Sequence, residues 1–263
     1  MRLKIGADPE FFLKRRNKHI SGFGVIPGTK EKPYKVDKGA IQVDGMALEF
    51  NIHPAETPEC FVINIQTVLK ILRDMVPKTM SFSFTPVAVF TPEYIEKQHP
   101  MARALGCSPD WNAYTTRENT PPDDTSNIRT AAGHIHIGWK EKNHNLEHIE
   151  ECIMLVKQLD YMLGIPSILL DPVSRRREMY GKAGCFRPKP YGVEYRVLSN
   201  FWLKNKKYMS WVFMQTKLAY DLLVKKNIYF PEKYGDIARE IIDNNDIIGA
   251  KKFISQNMSK ALI

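Results

Sequence analysis

Residues Ala131 to Trp139 read AAGHIHIGW, two histidines alternating with two isoleucines between small residues and glycines. Period-two alternation places His134 and His136 on one face of a strand and Ile135 and Ile137 on the other, against a core. A lone histidine on such a strand is most often a satisfied core side chain. Two on one face, with little that is apolar beside them, point to a ligand site. Gly133 and Gly138 mark places where a ligand or another backbone comes close.

Acids recur on three other strand-like stretches. Leu3 to Leu13 projects Asp8 and Glu10 to one side, between Ile5 and the pair Phe11 and Phe12, and carboxylates in so apolar a stretch are expected beside a cation rather than in solvent. Pro9 cannot donate to a ladder and predicts an edge, a bulge or an irregular pairing. Ile41 to His53 (IQVDGMALEFNIH) reads as one long strand with Glu49, Asn51 and His53 on one face. Glu49, between Leu48 and Phe50, is costly there unless paired or bound to metal. Asp44 is out of register with it unless Gly45 forms a bulge or Asp44 lies in a turn. In the last stretch, Val193 to Leu198, Glu194 and Arg196 share a face, and Arg175, Arg176, Arg177, Lys182, Arg187 and Lys189 precede it. Such a basic run is a solvated face, a nucleic-acid patch or, next to an acid-bearing apolar strand, part of a site that handles phosphate beside a metal.

Between these stretches, His19 to Lys38 has the Gly, Pro and Lys content of a mobile surface flap, without the GxxxxGK[ST] spacing of a phosphate loop. Thr57, Pro58 and Glu59 start a helix that Phe61, Ile65, Val68, Leu69 and Leu72 carry to about Met75. Ser81 to Phe90 alternates as a strand that Pro86 bends or keeps at an edge. Glu93 to Arg129 is irregular and proline-rich, a surface loop in which Asn112, Tyr114, Arg117 and Asn127 are candidate substrate contacts. Leu146 to Leu163 is an amphipathic helix, capped by Asn145, ended by Gly164 and Pro166, and expected behind the histidine strand. Residues 203–263 read as helices for packing and a lid.

With 263 residues, 43% of them hydrophobic, the chain can bury a large core and is expected to form one domain. Its 38 Lys and Arg against 29 Asp and Glu leave a formal charge of +9, which favours an anionic partner: nucleotide phosphates, nucleic acid or an acidic substrate. Cys60, Cys107, Cys152 and Cys185 show no CxxC spacing, which argues against a zinc knuckle or a disulfide scaffold and suits a reducing cytoplasm. No eighteen apolar residues run together and no apolar leader opens the chain, so no membrane partner is expected.

Four strands thus carry Asp8 and Glu10, Asp44 and Glu49, His134 and His136, and Glu194 and Arg196. Carboxylates with one or two imidazoles suit Mg²⁺ or Mn²⁺, and arginines beside such ions suit a transferring phosphoryl group. In this order the set resembles the carboxylate-amine ligases of the glutamine synthetase-like superfamily, glutamate-cysteine ligases among them. It is most similar to a phage-encoded branch, the COOH-amine ligases of type 2. The likeness spans roughly residues 1–202 and rests on the acid-x-acid strand, the second acid-bearing strand, the HxH strand and the late Glu-x-Arg strand after an arginine-bearing loop.

The resemblance implies an α+β fold, a curved and mainly antiparallel sheet forming a funnel-shaped active site backed by helices. One catalytic domain would carry the motifs in 1–202 and a helical part in 203–263. It implies Glu10 and Glu49, with Asp44, at one metal, and Asp8, His134 and Glu194 at another. His136 would lie near the nucleotide phosphates, and Arg177, Arg187 and Arg196 would bind ATP phosphates or the phosphoryl group in flight. Asp8 replaces the usual Glu, Pro9 interrupts the acid pair, and Gly192 stands where glutamine synthetases have a further arginine, so their ammonia and glutamate pocket is not implied. The activity implied is an ATP- and Mg²⁺- or Mn²⁺-dependent ligase joining a small-molecule or peptide carboxylate to an amine through an acyl phosphate. It would work in the cytoplasm, that of the host if phage-encoded, with the flap Ser21 to Lys38 excluding water and all site residues in one chain whatever its oligomeric state. Two other classes stay open: a metal-dependent hydrolase activating water on zinc at the HxH strand, and a basic nucleic-acid-binding module, which explains the charge but not the buried acids.

Overall fold

The computed structural model of the chain describes residues 2–103, 110–119, 127–139 and 146–258, so Cys107 and the proposed cap Asn145 lie outside the described residues. Its organising strand is β1 (Lys4–Arg15), which changes partners along its length. Of the strands that follow, β2 (Lys18–Ile20) pairs antiparallel with β1, while β3 (Tyr34–Val36), β4 (Gly39–Asp44) and β5 (Ala47–Ile52) pair antiparallel in succession. The flap expected to be mobile is therefore partly strand. It is also pinned between strands, by Gly22 N–H donating to Met46 O and Val43 N–H donating to Gly28 O.

The single strand expected over Ile41 to His53 is a hairpin, β4 and β5 joined by Gly45 and Met46. Gly45 has φ +57°, and a primed two-residue turn demands a positive φ at this first loop position. Folding back puts Gln42 opposite Glu49 and Asp44 opposite Ala47, so all four share one face. The odd spacing of Asp44 and Glu49 is thereby resolved by the turn.

Next come α1 (Pro58–Met75), β6 (Ser81–Ser83), β7 (Val87–Val89), α2 (Pro92–Glu96) and α3 (Pro100–Arg103). Thr57 Oγ1 accepts from Cys60 N–H with Pro58 at the first helical turn, and α1 buries Phe61, Ile65, Val68 and Leu72, each contributing about 1.5–3 kcal/mol. The Ser81 to Phe90 strand breaks at Thr85 and Pro86: β6 pairs with β1, while β7 pairs with β10 (Ile128–Thr130) in a separate two-stranded sheet. Short β8 (Trp111–Asn112) and β9 (Arg117–Glu118) precede β10. The histidine stretch is β11 (Gly133–Gly138), and β12 (Cys185–Lys189) and β13 (Gly192–Tyr195) follow later in the chain. The main sheet runs β3-β4-β5-β1-β11-β13-β12-β8-β9, with β2 and β6 paired to the far half of β1. The fold is α+β, an antiparallel sheet backed by helices.

Pro9 sits in the middle of this sheet. Ile5 N–H donates to Ala55 O on one side of β1 and Glu10 N–H to Ala132 O on the other. By strand alternation the donor that Pro9 lacks falls on the β5 side, between the Ile5–Ala55 bridge and the Glu10–Glu49 pair, where β1 and β5 are not laddered. The interruption is thus placed in a gap rather than at an edge.

Helices cover the face opposite the acids. Ile5, Ala7, Phe11, Phe50, Ile135, Ile137, Val193 and Tyr195 join one core with the helix stripes. α4 (Leu146–Leu159) packs on β13 and β12, with the buried Cys152 donating to Gly192 O. The helix does not stop at Gly164. A π-helical turn, Asp160–Gly164, leads into α5 (Ile165–Leu170), and that wider turn relieves the clash a proline ring makes with the carbonyl four residues back. The continuous rod Leu146–Leu170 is long and apolar enough to cross a membrane, yet its most apolar window is 72% buried, as in a core helix. After α6 (Arg175–Met179), the C-terminal helices α7 (Lys206–Tyr220), α8 (Phe230–Tyr234), α9 (Ile237–Asp243) and α10 (Ile247–Asn257) pack on α1, α4 and α5. None of their residues reaches the acid-bearing face, so the expected lid is absent from the described part of 203–263.

Candidate active site

Strand register brings the expected residues to one face. Asp8 lies opposite His134, Glu10 opposite Glu49, and Glu194 lies between His136 on one neighbour and Arg187 on the other. All of these but His136 line a cavity of about 260 Å³ with Lys30, Gln42, Asp44, Lys189, Arg196 and Tyr180. His136 lines an adjoining chamber of about 480 Å³ that shares Asp8, Gln42 and Glu49.

The cavity is electrically divided. At the end built by β1, β4 and β5, four carboxylates, Asp8, Glu10, Asp44 and Glu49, meet one lysine, Lys30, whose Nζ is 3.3 Å from Asp44 Oδ2. Gln42 Nε2 donates to Glu49 Oε2 at 2.7 Å and Ala132 N–H to Glu10 Oε2 at 3.0 Å. Burial, with the charge of Asp44 added, pushes the Glu10 carboxyl up to about 7, and burial with Asp8, Glu10 and Asp44 nearby raises that of Glu49 well above the ordinary range. At the other end Glu194 is ringed by cations. Arg196 Nη1 donates to its Oε1, while Lys189 Nζ and Arg187 Nη1 lie 2.8 Å and 3.4 Å from its Oε2. Arg196 is held from behind by Asp110 Oδ2, 3.1 Å from its Nε.

Between the ends lie the imidazoles. Burial and the Arg196 guanidinium push His134 down to about 3, so it is neutral. Burial also disfavours the His136 cation, but Asp8, with Oδ2 3.0 Å from Nε2, outweighs it and raises the ring above its usual value. Burial alone would raise Asp8, yet His136 and His134 hold it well below the carboxylate range. Tyr191 Oη lies 2.6 Å from the other nitrogen of His136.

The donors fit a hard divalent ion on two observations. One ligand atom each of Asp8, His136 and Glu194 lies within 4.8 Å of the others, and the buried Asp8 Oδ1 and His134 Nε2 have no hydrogen-bond partner. Four carboxylates against one lysine likewise leave negative charge that oxygen-seeking cations neutralise. Among the described residues this group contains His136, whereas His134 was expected with Asp8 and Glu194; His134 Nδ1 nonetheless lies 3.6 Å and 3.5 Å from those two carboxylates.

Arg177 is a correction. Its guanidinium is buried away from the cavity, donating to Asp171 O and to Asn245 Oδ1 at 2.8 Å, because α6 turns it toward the loop after α9. Arg176 is likewise consumed by Val197 O and Leu198 O. With both buried, the arginine run is no surface patch. Asn112 and Tyr114 also serve structure: Asn112 Oδ1 accepts from the N–H groups of Tyr114 and Thr115. Gly133 admits protein rather than ligand, since a Cβ there would stand 2.3 Å from Ser199 O and 2.4 Å from Trp202 Nε1. Sequence reasoning missed Gln42, Asp110, Tyr180 and Tyr191. Gln42 alone had a signal, its i, i+2 parity with Asp44.

Residues 127–232 match the family model described as phage phiEco32-like COOH.NH2 ligase-type 2. The resemblance to carboxylate-amine ligases is borne out over that segment. No curated protein matches the chain. A solved structure described as a novel glutamine synthase homolog aligns with 98% of this chain and 68% of its own, at 11% identity and a TM-score of 0.38, a likeness too distant to argue from.

Proposed function

From the carboxylate-amine ligase pattern that runs through residues 127–232, we propose that this chain is an ATP-dependent ligase that activates a carboxylate as an acyl phosphate and passes it to an amine. The observation that carries the reading is the divided cavity, four carboxylates at one end and Arg187, Lys189 and Arg196 at the other, with the histidine strand β11 between them in the sheet. A carboxylate and a triphosphate repel each other, and a site that joins them must neutralise both.

Asp8, Glu10, Asp44, Glu49, His134, His136 and Glu194 are the residues that would hold Mg²⁺ or Mn²⁺. When bound, such ions screen phosphate charge and polarise the transferring phosphoryl group. Arg196 spans Glu194 and Asp110, which fixes its planar fork, and in this reading it stabilises charge on the transferring group with Arg187 and Lys189. His136, bracketed by Asp8 and Tyr191, orients on the phosphates. Lys30 brings the flap over the acidic end and helps exclude water from a hydrolysable intermediate. The nucleic-acid reading loses its main support with the burial of Arg176 and Arg177.

Thermal unfolding tests the proposal. MgATP at about a hundred times its dissociation constant is expected to stabilise the protein by about 2.7 kcal/mol. Stabilisation by Zn²⁺ alone, with none from MgATP, would instead support the hydrolase.

A further inference from the structure

A third cavity, of about 420 Å³, lies beyond the acidic end, enclosed by the flap, the β4–β5 turn and α3. Its walls include Phe23, Ile26, Val43 and Met101, and it shares Lys30 and Asp44 with the divided cavity. The chamber is thus apolar over much of its wall and carries an ion pair where it meets the site. Resting on the ligase reading, we propose that this chamber takes the amine substrate, and that the amine is a primary alkylammonium whose charged head docks on Asp44, leaving the metal ions to the other carboxylates and the imidazoles, and whose hydrocarbon body lies along Phe23, Ile26, Val43 and Met101.

The position beside Asp44 already holds an ammonium on an aliphatic stem, that of Lys30, at 3.3 Å. The Lys30 side chain is 43% exposed, so its ammonium has water to return to when it is displaced. An alkylammonium entering from the chamber replaces like with like at Asp44 and lays its hydrocarbon along the apolar wall. A carboxylate or phosphate is disfavoured there, because Glu31 and Asp44 both line the chamber and would repel it.

Titration calorimetry with butyl-, pentyl- and hexylammonium chloride tests this, with hexanol and hexanoate as neutral and anionic counterparts. Affinity is expected to rise about fourfold per methylene, and hexanol and hexanoate to bind at least about tenfold more weakly than hexylammonium. Lys30→Met removes the competing ammonium and is expected to tighten hexylammonium binding by up to about fivefold. Met101→Trp fills the chamber from a half-exposed position and is expected to weaken it by at least about tenfold with the melting temperature and Mg²⁺ binding unchanged. Equal binding by a well-folded Met101→Trp, or by hexanoate, would overturn the proposal, as would no alkylammonium binding where MgATP still stabilises the protein. Alkylammonium binding that persists without any MgATP stabilisation would support the chamber's role and overturn the ligase reading instead.

Discussion

Replacing Glu49 by Gln is expected to make the metal-free protein more stable, and increasingly so as pH rises. In the folded chain the Glu10 carboxyl stands near 7 rather than at its ordinary 4.5. A raised folded-state pKa means stability that is fully present below about 4.5 and lost as pH climbs through about 7. The interval of about 2.5 pH units corresponds to about 3 kcal/mol. Burial supplies the largest part, and Glu49→Gln leaves that in place. The charge that helps raise Glu10 is chiefly that of Asp44, so the gain from Glu49→Gln comes from Glu49 itself, whose carboxyl is raised well above its ordinary range by burial and by Asp8, Glu10 and Asp44; a neutral amide there escapes that cost, and a gain of about 1 kcal/mol is expected at about pH 9. The gain is at least about 2–4 °C in melting temperature for a chain of this size. The Gln42 hydrogen bond survives, because the oxygen of the introduced amide accepts it. Melting with a chelator at about pH 5 and pH 9 is the assay: the two proteins are expected to agree at the lower pH and to separate at the higher. Added Mg²⁺ is expected to stabilise the wild type at pH 9 and the variant much less. A variant that melts lower at pH 9, or a gap that does not widen between the two pH values, would refute the reasoning, since Glu49 would then be a structural hydrogen-bonding group rather than part of a cation site.

Glu194→Gln leaves Arg187, Lys189 and Arg196 without their shared anion and is expected to destabilise by about 3 kcal/mol and to weaken Mg²⁺-dependent ATP binding, both read by melting with and without MgATP. Arg196→Lys cannot reach Glu194 and Asp110 together, so phosphate release from ATP is expected to fall on the order of a hundredfold while MgATP binding changes far less; full turnover in a folded variant would remove Arg196 from the proposed role. Asp110→Asn keeps the shape but frees the fork, and is expected to lower turnover in the same direction by a smaller factor, with the double variant Arg196→Lys, Asp110→Asn no worse than Arg196→Lys alone. Gly133→Ala, whose Cβ meets Ser199 O and Trp202 Nε1, is expected to cost about 3 kcal/mol, whereas Gly6→Ala, with nothing nearer than 3.7 Å, is expected to fold normally; denaturant titration separates the two.

The strands and their chemistry were legible because alternation is a local property. Asp8 with Glu10, His134 with His136 and Glu194 with Arg196 are i, i+2 pairs, and a strand sends such pairs to one face whatever its neighbours do. The α1 stripe and its Thr57 cap are equally local. What alternation does not encode is which strand lies beside which. The Asp44 turn, the Pro9 gap and the adoption of Glu194 by three cations all depend on register across the sheet. Arg177 looked like its neighbours in composition, and only the packing of α6 against the loop after α9 directs it away from the cavity. Asp110 lies 86 residues from the arginine it holds, a separation over which sequence pattern carries no signal. The helix through Gly164 and Pro166 ran on because a π-helical turn removed the constraint that makes proline a stop.

The most direct test of ligase function is incubation of the purified chain with MgATP and a pooled cell extract, with mass spectrometry of the products beside measurement of ADP and phosphate. The account predicts a new species whose mass is that of a carboxylate plus an amine less one water, formed in step with ADP and phosphate and lost when Mg²⁺ is chelated or Arg196 is replaced. Products that have instead gained water, formed without ATP and supported by Zn²⁺, would contradict it.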